Sequence, residues 1–469
     1  MDLGLFSIDT QPMLDFFTQP VASVVWQLFG ILGWVALDYL LLYAGLELYQ
    51  KYRQDKHTAH WKWIVLAVDV PALNLQTPKA VEQMFNHLAG AHEHGDITEH
   101  FRGGHKQRWF SFEIISIEGY IQFLIRTEEG FRDLVEAALY AQYPDAEVVE
   151  VEDYVASAPD HFPNAEYDMW AADFTLSEND AFPIRTYREF EHNISKDTQL
   201  KDPMGAFLES FSRIGPGEQV WFQILLEPTS NSWKEKAIKQ IKEVIGETRS
   251  HATGSPTIQA IGNAPAQLLQ LINTEVFGAV PGEGAHEERE GPPNQIQYLT
   301  PGQSKMVEAM ELKISHIGFK TKLRAVYLAR KEVFRKERAV HAIIGAMNQY
   351  NIPSANSLVP SFTSNTSYFF KKERSAHRKS LLMKAYKKRK LKIGSNSFIL
   401  NVEELATIWH FPMSHIKTPL LQKAQGKRAE PPAGLPVEHL LSPFAEAIKE
   451  APSKPNVDLG SYPEGMKFG

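Results

Sequence analysis

Five histidines, His87, His92, His94, His100 and His105, crowd one stretch of the chain and are the densest set of metal-ligating side chains in it. Zinc sites space such ligands along one helix face or as paired turns. Here no HExxH is present, and the string AHEHGD puts its ligands on a loop following a helix, which reads as a solvated loop. No GxSxG elbow and no acid–base pair can be recognised, so no residue is assigned a catalytic role. A phosphate loop needs glycines that free backbone amides for the phosphates and a Lys that follows them. The nearest strings, IGFKT at Ile317 and AQGKR at Ala424, lack the first glycine and the GK-[ST] ending. The chain contains no cysteine, which removes disulfides and thiolate chemistry. These observations predict a protein that is not an enzyme and binds no cofactor or metal.

The remaining chemistry is charge. The run Lys371 to Lys392 holds 11 Lys or Arg and one acid, Glu373, within a basic stretch from Lys305 to Arg428 that carries 25 Lys or Arg against 7 Asp or Glu. The net charge of −7 hides this asymmetry. Lys371, Lys372, Arg374, Arg378, Lys379, Lys387, Lys388, Arg389 and Lys390 are candidates for contact with nucleic-acid phosphates or with anionic lipid, the alternative being a solvated helix face. Tyr368, Phe369, Phe370 and Tyr386 are available beside them to stack on bases. Further on, EELATIWHFP has helical spacing that puts Leu405, Ile408 and Trp409 on one face before Pro412 ends it. It reads as a helix packed on its neighbours, and Leu405, Ile408, Trp409 and Phe411 are candidates for docking a partner.

Elements must position these residues. Val21 to Tyr49 is a mainly apolar run long enough for a transmembrane helix, interrupted by Asp38. Basic residues follow it at Lys51, Arg53, Lys56 and Lys62, so the positive-inside rule predicts a single-pass protein of a bacterial cell membrane. Residues 1–20 are then a short extracytoplasmic lead and the C-terminal domains are cytoplasmic. Over 57–157 the order is β-α-β-β-α-β: WIVLAVDVP, a helix opened by Thr77 and Pro78, the hairpin RWFSFEIIS and YIQFLIRT turning at Glu118-Gly119, the helix FRDLVEAALYAQYP, and AEVVEVEDY. The same order recurs over 166–362, with an insertion at 229–316 of two helices around a Gly- and Pro-rich centre that reads as disordered. The fold class predicted is therefore α+β: a transmembrane helix and two ferredoxin-like units. A basic helix and a short strand–helix follow over 363–415, and a Pro-rich tail, read as disordered, over 416–469.

Taken together, the early apolar helix, WIVLAVDVP with TPKAVEQMF, FSFEII, AQYPDAEVVEVEDY, GEQVWFQILLEP with Trp233, FILNVEELATIWHFP, TPLLQ and PPAGLP resemble the N-terminal membrane-anchored region of bacterial ATPases related to type IV secretion and conjugative DNA transfer. The resemblance covers most of residues 20–436. It implies a non-enzymatic platform or scaffold subunit in an oligomeric apparatus, with DNA as a candidate partner and an indirect part in DNA transport. This chain carries no phosphate-loop domain after PPAGLP, so the resemblance implies a separately encoded P-loop ATPase as partner.

Overall fold

The computed structural model describes residues 20–71, 75–93, 95–96, 98–192, 199–200, 202–245 and 299–413. It begins with a 38-residue helix, α1 (Val21–Thr58). Among the described residues no helix is long and apolar enough to cross a membrane. This corrects the transmembrane helix expected over 21–49, and with it the fold class that began with that helix and the single-pass cell-membrane localisation. The reason lies in α1 itself. Asp38 and Glu47 interrupt its apolar run, Tyr39, Tyr43, Tyr49 and Gln50 dilute it, and the helix continues into the charged string KYRQDKH.

Nine strands form an antiparallel sheet, an α+β architecture, and Glu191–His192 and Gln199–Leu200 pair in a separate two-stranded sheet. In chain order the nine are β1 (Trp63–Asp69), β2 (Phe110–Ile117), β3 (Tyr120–Glu128), β4 (Glu147–Val151), β5 (Tyr167–Leu176), β6 (Glu218–Pro228), β7 (Gly318–Arg330), β8 (Leu358–Thr363) and β9 (Phe398–Asn401). Across the sheet the order is β8-β5-β7-β6-β2-β3-β1-β4, and β9 pairs with the start of β7. Each half is thus four strands ordered second, third, first, fourth, the arrangement that a β-α-β-β-α-β chain adopts when each helix crosses over one face. The halves meet edge to edge, β2 against β6, from Phe110 opposite Leu226 to Ile117 opposite Gln219. Joining them this way pairs two strand edges that would otherwise be exposed.

Local signals account for several of these elements. The β2–β3 hairpin turns on Glu118 and Gly119, both at positive φ (55° and 93°), as a two-residue loop matched to strand twist requires. Thr77 and Pro78 open α2 (Pro78–Leu88), which buries Val81, Met84, Phe85 and Leu88. The helices α3 (Arg132–Tyr140), α4 (Pro203–Ser212) and α7 (Lys336–Asn348) lie on the same sheet face. Beyond β6 come α5 (Ser232–Ile245) and α6 (Pro301–Ser315), the latter opened by a Thr300–Gln303 capping box. The expected Gly- and Pro-rich centre between them and the Pro-rich tail fall on 246–298 and 414–469, outside the described residues.

The helix α9 (Val402–Ile408) closes this face. Asn401 Oδ1 accepts from the Glu404 amide at 2.8 Å and Glu404 Oε2 accepts from the Asn401 amide at 2.9 Å. The buried Glu404 also pairs with Lys313 of α6 at 3.1 Å and accepts from the Ile184 amide at 2.9 Å. Trp409, immediately after α9, packs at 4.9 Å from Phe112, 5.7 Å from Phe123 and 5.0 Å from Phe411. The expectation that Leu405, Ile408, Trp409 and Phe411 dock a partner is corrected. All four are buried in the main core, where their side chains fill the space between sheet and helices. Trp409→Ala should therefore cost about 3–5 kcal/mol of folding stability, as truncation of a fully buried aromatic does. Urea denaturation checks this, and a loss under about 1 kcal/mol would contradict the core placement.

Candidate nucleic-acid interface

The opposite face of the sheet is covered by the basic helix, α8 (Lys371–Lys387). Only four of its residues, Leu382, Met383, Ala385 and Tyr386, are buried; Leu382, Met383 and Tyr386 share a cluster with Val65, Ile115, Leu124, Trp221, Val326 and Leu328. This sheet face is unusually polar, because Ser111, Glu113, Asp173, Gln223, Lys322 and Arg324 alternate with its apolar residues and are all buried. Two ion networks engage most of them, while Arg324 Nη1 and Gln223 Oε1 keep no hydrogen-bond partner. Arg324 donates through Nε to Asp173 Oδ1 at 2.6 Å, and Lys322 donates to the carbonyls of Leu391, Ile393 and Ser395. At the junction of the halves, Glu113 of β2 faces Gln223 of β6 and accepts from its side chain at 2.9 Å.

Glu113 is held by Arg389, just past the end of α8. Arg389 Nε donates to Glu113 Oε1 at 2.9 Å, and Nη2 donates to Glu113 Oε2 at 3.1 Å and to Asp153 Oδ1 at 2.9 Å. The backbone of Arg389 is left-handed (φ 48°), which turns its side chain back under the helix it follows. Burial pushes the Glu113 carboxyl up, but the Arg389 charge and hydrogen bonds outweigh it and hold the group below its ordinary value. Tyr154 donates to Glu113 at 2.8 Å and lies 2.7 Å, oxygen to oxygen, from Tyr386.

Arg389 and Tyr386 are thus structural, which corrects their assignment to ligand contact and base stacking. Three more cations of the run are already engaged. Lys379 pairs with Asp168, Lys387 with Asp160, and Arg378 donates to the Thr363 and Asn365 carbonyls with its guanidinium 5.0 Å from the centre of the Phe362 ring. Lys371, Lys372, Arg374, Lys388 and Lys390 are exposed and pair with no carboxylate among the described residues.

The N-terminal end of α8 carries three consecutive exposed aromatics. Tyr368, Phe369 and Phe370 are 83%, 86% and 77% accessible. Tyr368 (φ 80°) and Phe370 (φ 55°) both hold left-handed backbone, which is unfavourable for bulky side chains and persists only where the surroundings hold it. The rings stand beside Lys371, Lys372 and Arg374 at the helix end whose dipole favours anions. Along the same helix a cavity of about 400 Å³ opens between α8 and the segment before β5, lined by His161, Phe162, Glu373, His377, Ser380 and Lys384 among others. Nothing in the sequence brings His161 and Phe162 to α8, and Lys384 is distinguishable from its basic neighbours only by its place on the helix.

Among the described residues the clustered histidines form no common site. His105 pairs with Glu93 at 3.1 Å, His87 is exposed, and His94 lies outside the described residues. Among the described residues no group of three or more His, Cys, Asp or Glu could hold a metal ion.

Fold and surface together define an α+β protein built on a nine-stranded antiparallel sheet, its polar face roofed by a basic helix that offers exposed rings and cations paired with no carboxylate among the described residues. Residues 70–424 match the family model described as Domain of unknown function (DUF8128), and the chain belongs to that family. No curated protein matches it.

Replacing Arg389 by Met should cost about 3–5 kcal/mol, because Glu113 is then buried without its counter-charge. The pH dependence gives a sign. In the natural chain Glu113 titrates below its unfolded value, so its stabilisation is complete above the ordinary carboxylate range and is lost as pH falls through the lower folded value. In Arg389→Met burial is opposed only by hydrogen bonds from neutral groups, Ser111, Gln223 and Tyr154, and raises the Glu113 pKa, so the variant should recover part of its deficit as pH falls from 7 towards 5. Denaturation of both proteins across that range checks it, and a constant deficit would refute the assignment.

Proposed function

We propose that this protein is a non-enzymatic single-stranded nucleic-acid-binding module, with Tyr368, Phe369 and Phe370 as the stacking platform and Lys371, Lys372, Arg374, Lys388 and Lys390 as the phosphate contacts. The observation that carries the reading is the run of three exposed rings on strained backbone next to unpaired cations. Stacking on a protein ring is available to every base, and a basic groove that follows the backbone supplies the rest of the affinity. Duplex DNA would gain little from the rings, since its bases are already stacked on one another. The cavity lined by His161, Phe162 and Lys384 offers room for a base further along the same helix.

The sequence resemblance fits this reading by pointing to DNA transfer as the setting. A scaffold that docks a separate P-loop ATPase is less well supported, because the residues considered for docking are spent on the core. The anionic-lipid alternative leaned on the membrane span corrected above.

Fluorescence anisotropy with a labelled oligothymidylate tests the proposal. Affinity should fall linearly on a log–log plot against salt, by about 0.7 per phosphate contact. The combined change Tyr368→Ala, Phe369→Ala, Phe370→Ala should weaken binding at least tenfold, since each base–ring stack contributes about 1–3 kcal/mol. Lys371→Gln with Lys372→Gln should lower the salt slope by about 1 to 2. Unchanged affinity in the triple variant, or preference for duplex over single strand, would sink the reading.

A further inference from the structure

Beyond the other end of α8 lies a second cluster, of which the reading above uses only Lys390. Trp61, Trp63 at the start of β1, and Trp109 just before β2 pack together, with ring centres 6.0 Å apart for Trp61–Trp63 and Trp61–Trp109 and 4.8 Å for Trp63–Trp109. Leu225 and Leu391 pack on them. Arg126 of β3 sets its guanidinium 4.2 Å from the centre of Trp63, and Lys106 Nζ lies 4.5 Å from the centre of Trp109. Lys390 and Lys392 are exposed and lie close enough that Lys392, then Lys390, help to lower the Lys106 pKa, after burial as the main cause.

The donors here lack acceptors. The indole nitrogens of Trp61 and Trp109, residues only 8% and 9% accessible, have no hydrogen-bond partner, and neither does the buried Nη1 of Arg126. Neither Arg126 nor Lys106 forms an ion pair among the described residues. The acids nearby are mostly engaged elsewhere: Glu93 and Glu128 flank Arg108, at 3.6 Å for Glu128, Glu227 is 3.0 Å from Lys320, and Glu113 and Asp153, whose charges act on Arg126, are held by Arg389, leaving Asp55. Tryptophan, arginine and lysine side chains only donate, so the complement of the cluster is a group that only accepts. Water both donates and accepts, and it carries no charge to offset four cations. A buried donor left without an acceptor costs about 1–3 kcal/mol. The arginine fork fits the oxygens of a phosphate in pairs.

The geometry points to a phosphate-binding site formed by Trp61, Trp109, Lys106, Arg126, Lys390 and Lys392. The site does not depend on the platform at 368–370. Its ligand is a phosphate group, either free or as a phosphodiester of a nucleic-acid strand.

Indole N–H resonances of the full chain, titrated with inorganic phosphate at an ionic strength held constant with sodium chloride, test it. Trp61→Phe and Trp109→Phe assign the two signals. Both signals should move in a saturable way, and Lys106→Gln with Lys392→Gln should weaken the apparent affinity at least tenfold while the other indole signals keep their positions, which shows that the fold is intact. The variant lacking the rings of Tyr368, Phe369 and Phe370 should respond like the natural chain, so a failed platform and a failed phosphate site are told apart. A repeat with oligothymidylate separates the sources: movement with the oligonucleotide alone assigns the phosphodiester, and movement with phosphate assigns the free anion. No movement with either ligand, or equal movement with chloride, would overturn the site.

Discussion

The buried pair of Arg389 and Glu113 is the interaction on which the rest depends. Glu113 sits on β2 directly opposite Gln223 on β6, at the one place where the two halves of the sheet are joined. Its charge costs several kcal/mol to bury. Arg389 offsets that cost with two hydrogen bonds to Glu113 and ties the junction to Asp153 beyond β4. The same residue fixes the end of α8. Removing it would therefore unseat a helix and leave a charge stranded at the centre of the sheet.

The segment from 371 to 413 holds the junction from both sides. On the polar face α8 and the chain after it cover Glu113, Gln223, Lys322 and Arg324. On the apolar face α9 and Trp409 lie against α2 of the first half and α4 of the second. What α8 does not spend on this task is its solvent side, and that side carries the exposed rings and unpaired cations. Position and binding surface thus come from one helix, four of whose residues do the packing.

Much of the strand–helix order was legible from local signals, because these act within a few residues. The Glu118-Gly119 turn, the Thr77-Pro78 helix start and the apolar spacing of EELATIWHFP are of this kind. Partnerships across the chain were not legible. Arg389 reads as one more cation in a basic run, yet its acid lies 276 residues away. Lys320, Lys322 and Arg324 alternate with apolar residues as on a strand with one wet face, and only the roof of α8 and the following loop makes that face dry for the last two. Leu405 and Trp409 read equally well as core or as docking residues, since an apolar helix face does not say what covers it. The span at Val21 was overread because its apolar residues outnumber the charges and tyrosines that interrupt it.

The chain's order of synthesis gives the two-sided clamp a further meaning. Its last described segment contributes to both faces of the junction, while the strands it joins were made some 150 to 300 residues earlier. Until that segment emerges, β2 and β6 can pair only without the Arg389 counter-charge on Glu113 and with the space that Trp409 fills beside Phe112 and Phe123 left open. Such long-range closure raises contact order and slows the final step of folding. A nascent chain in this state exposes apolar surface and a poorly compensated charge together, and this exposure lasts until the segment around residue 410 has cleared the ribosome.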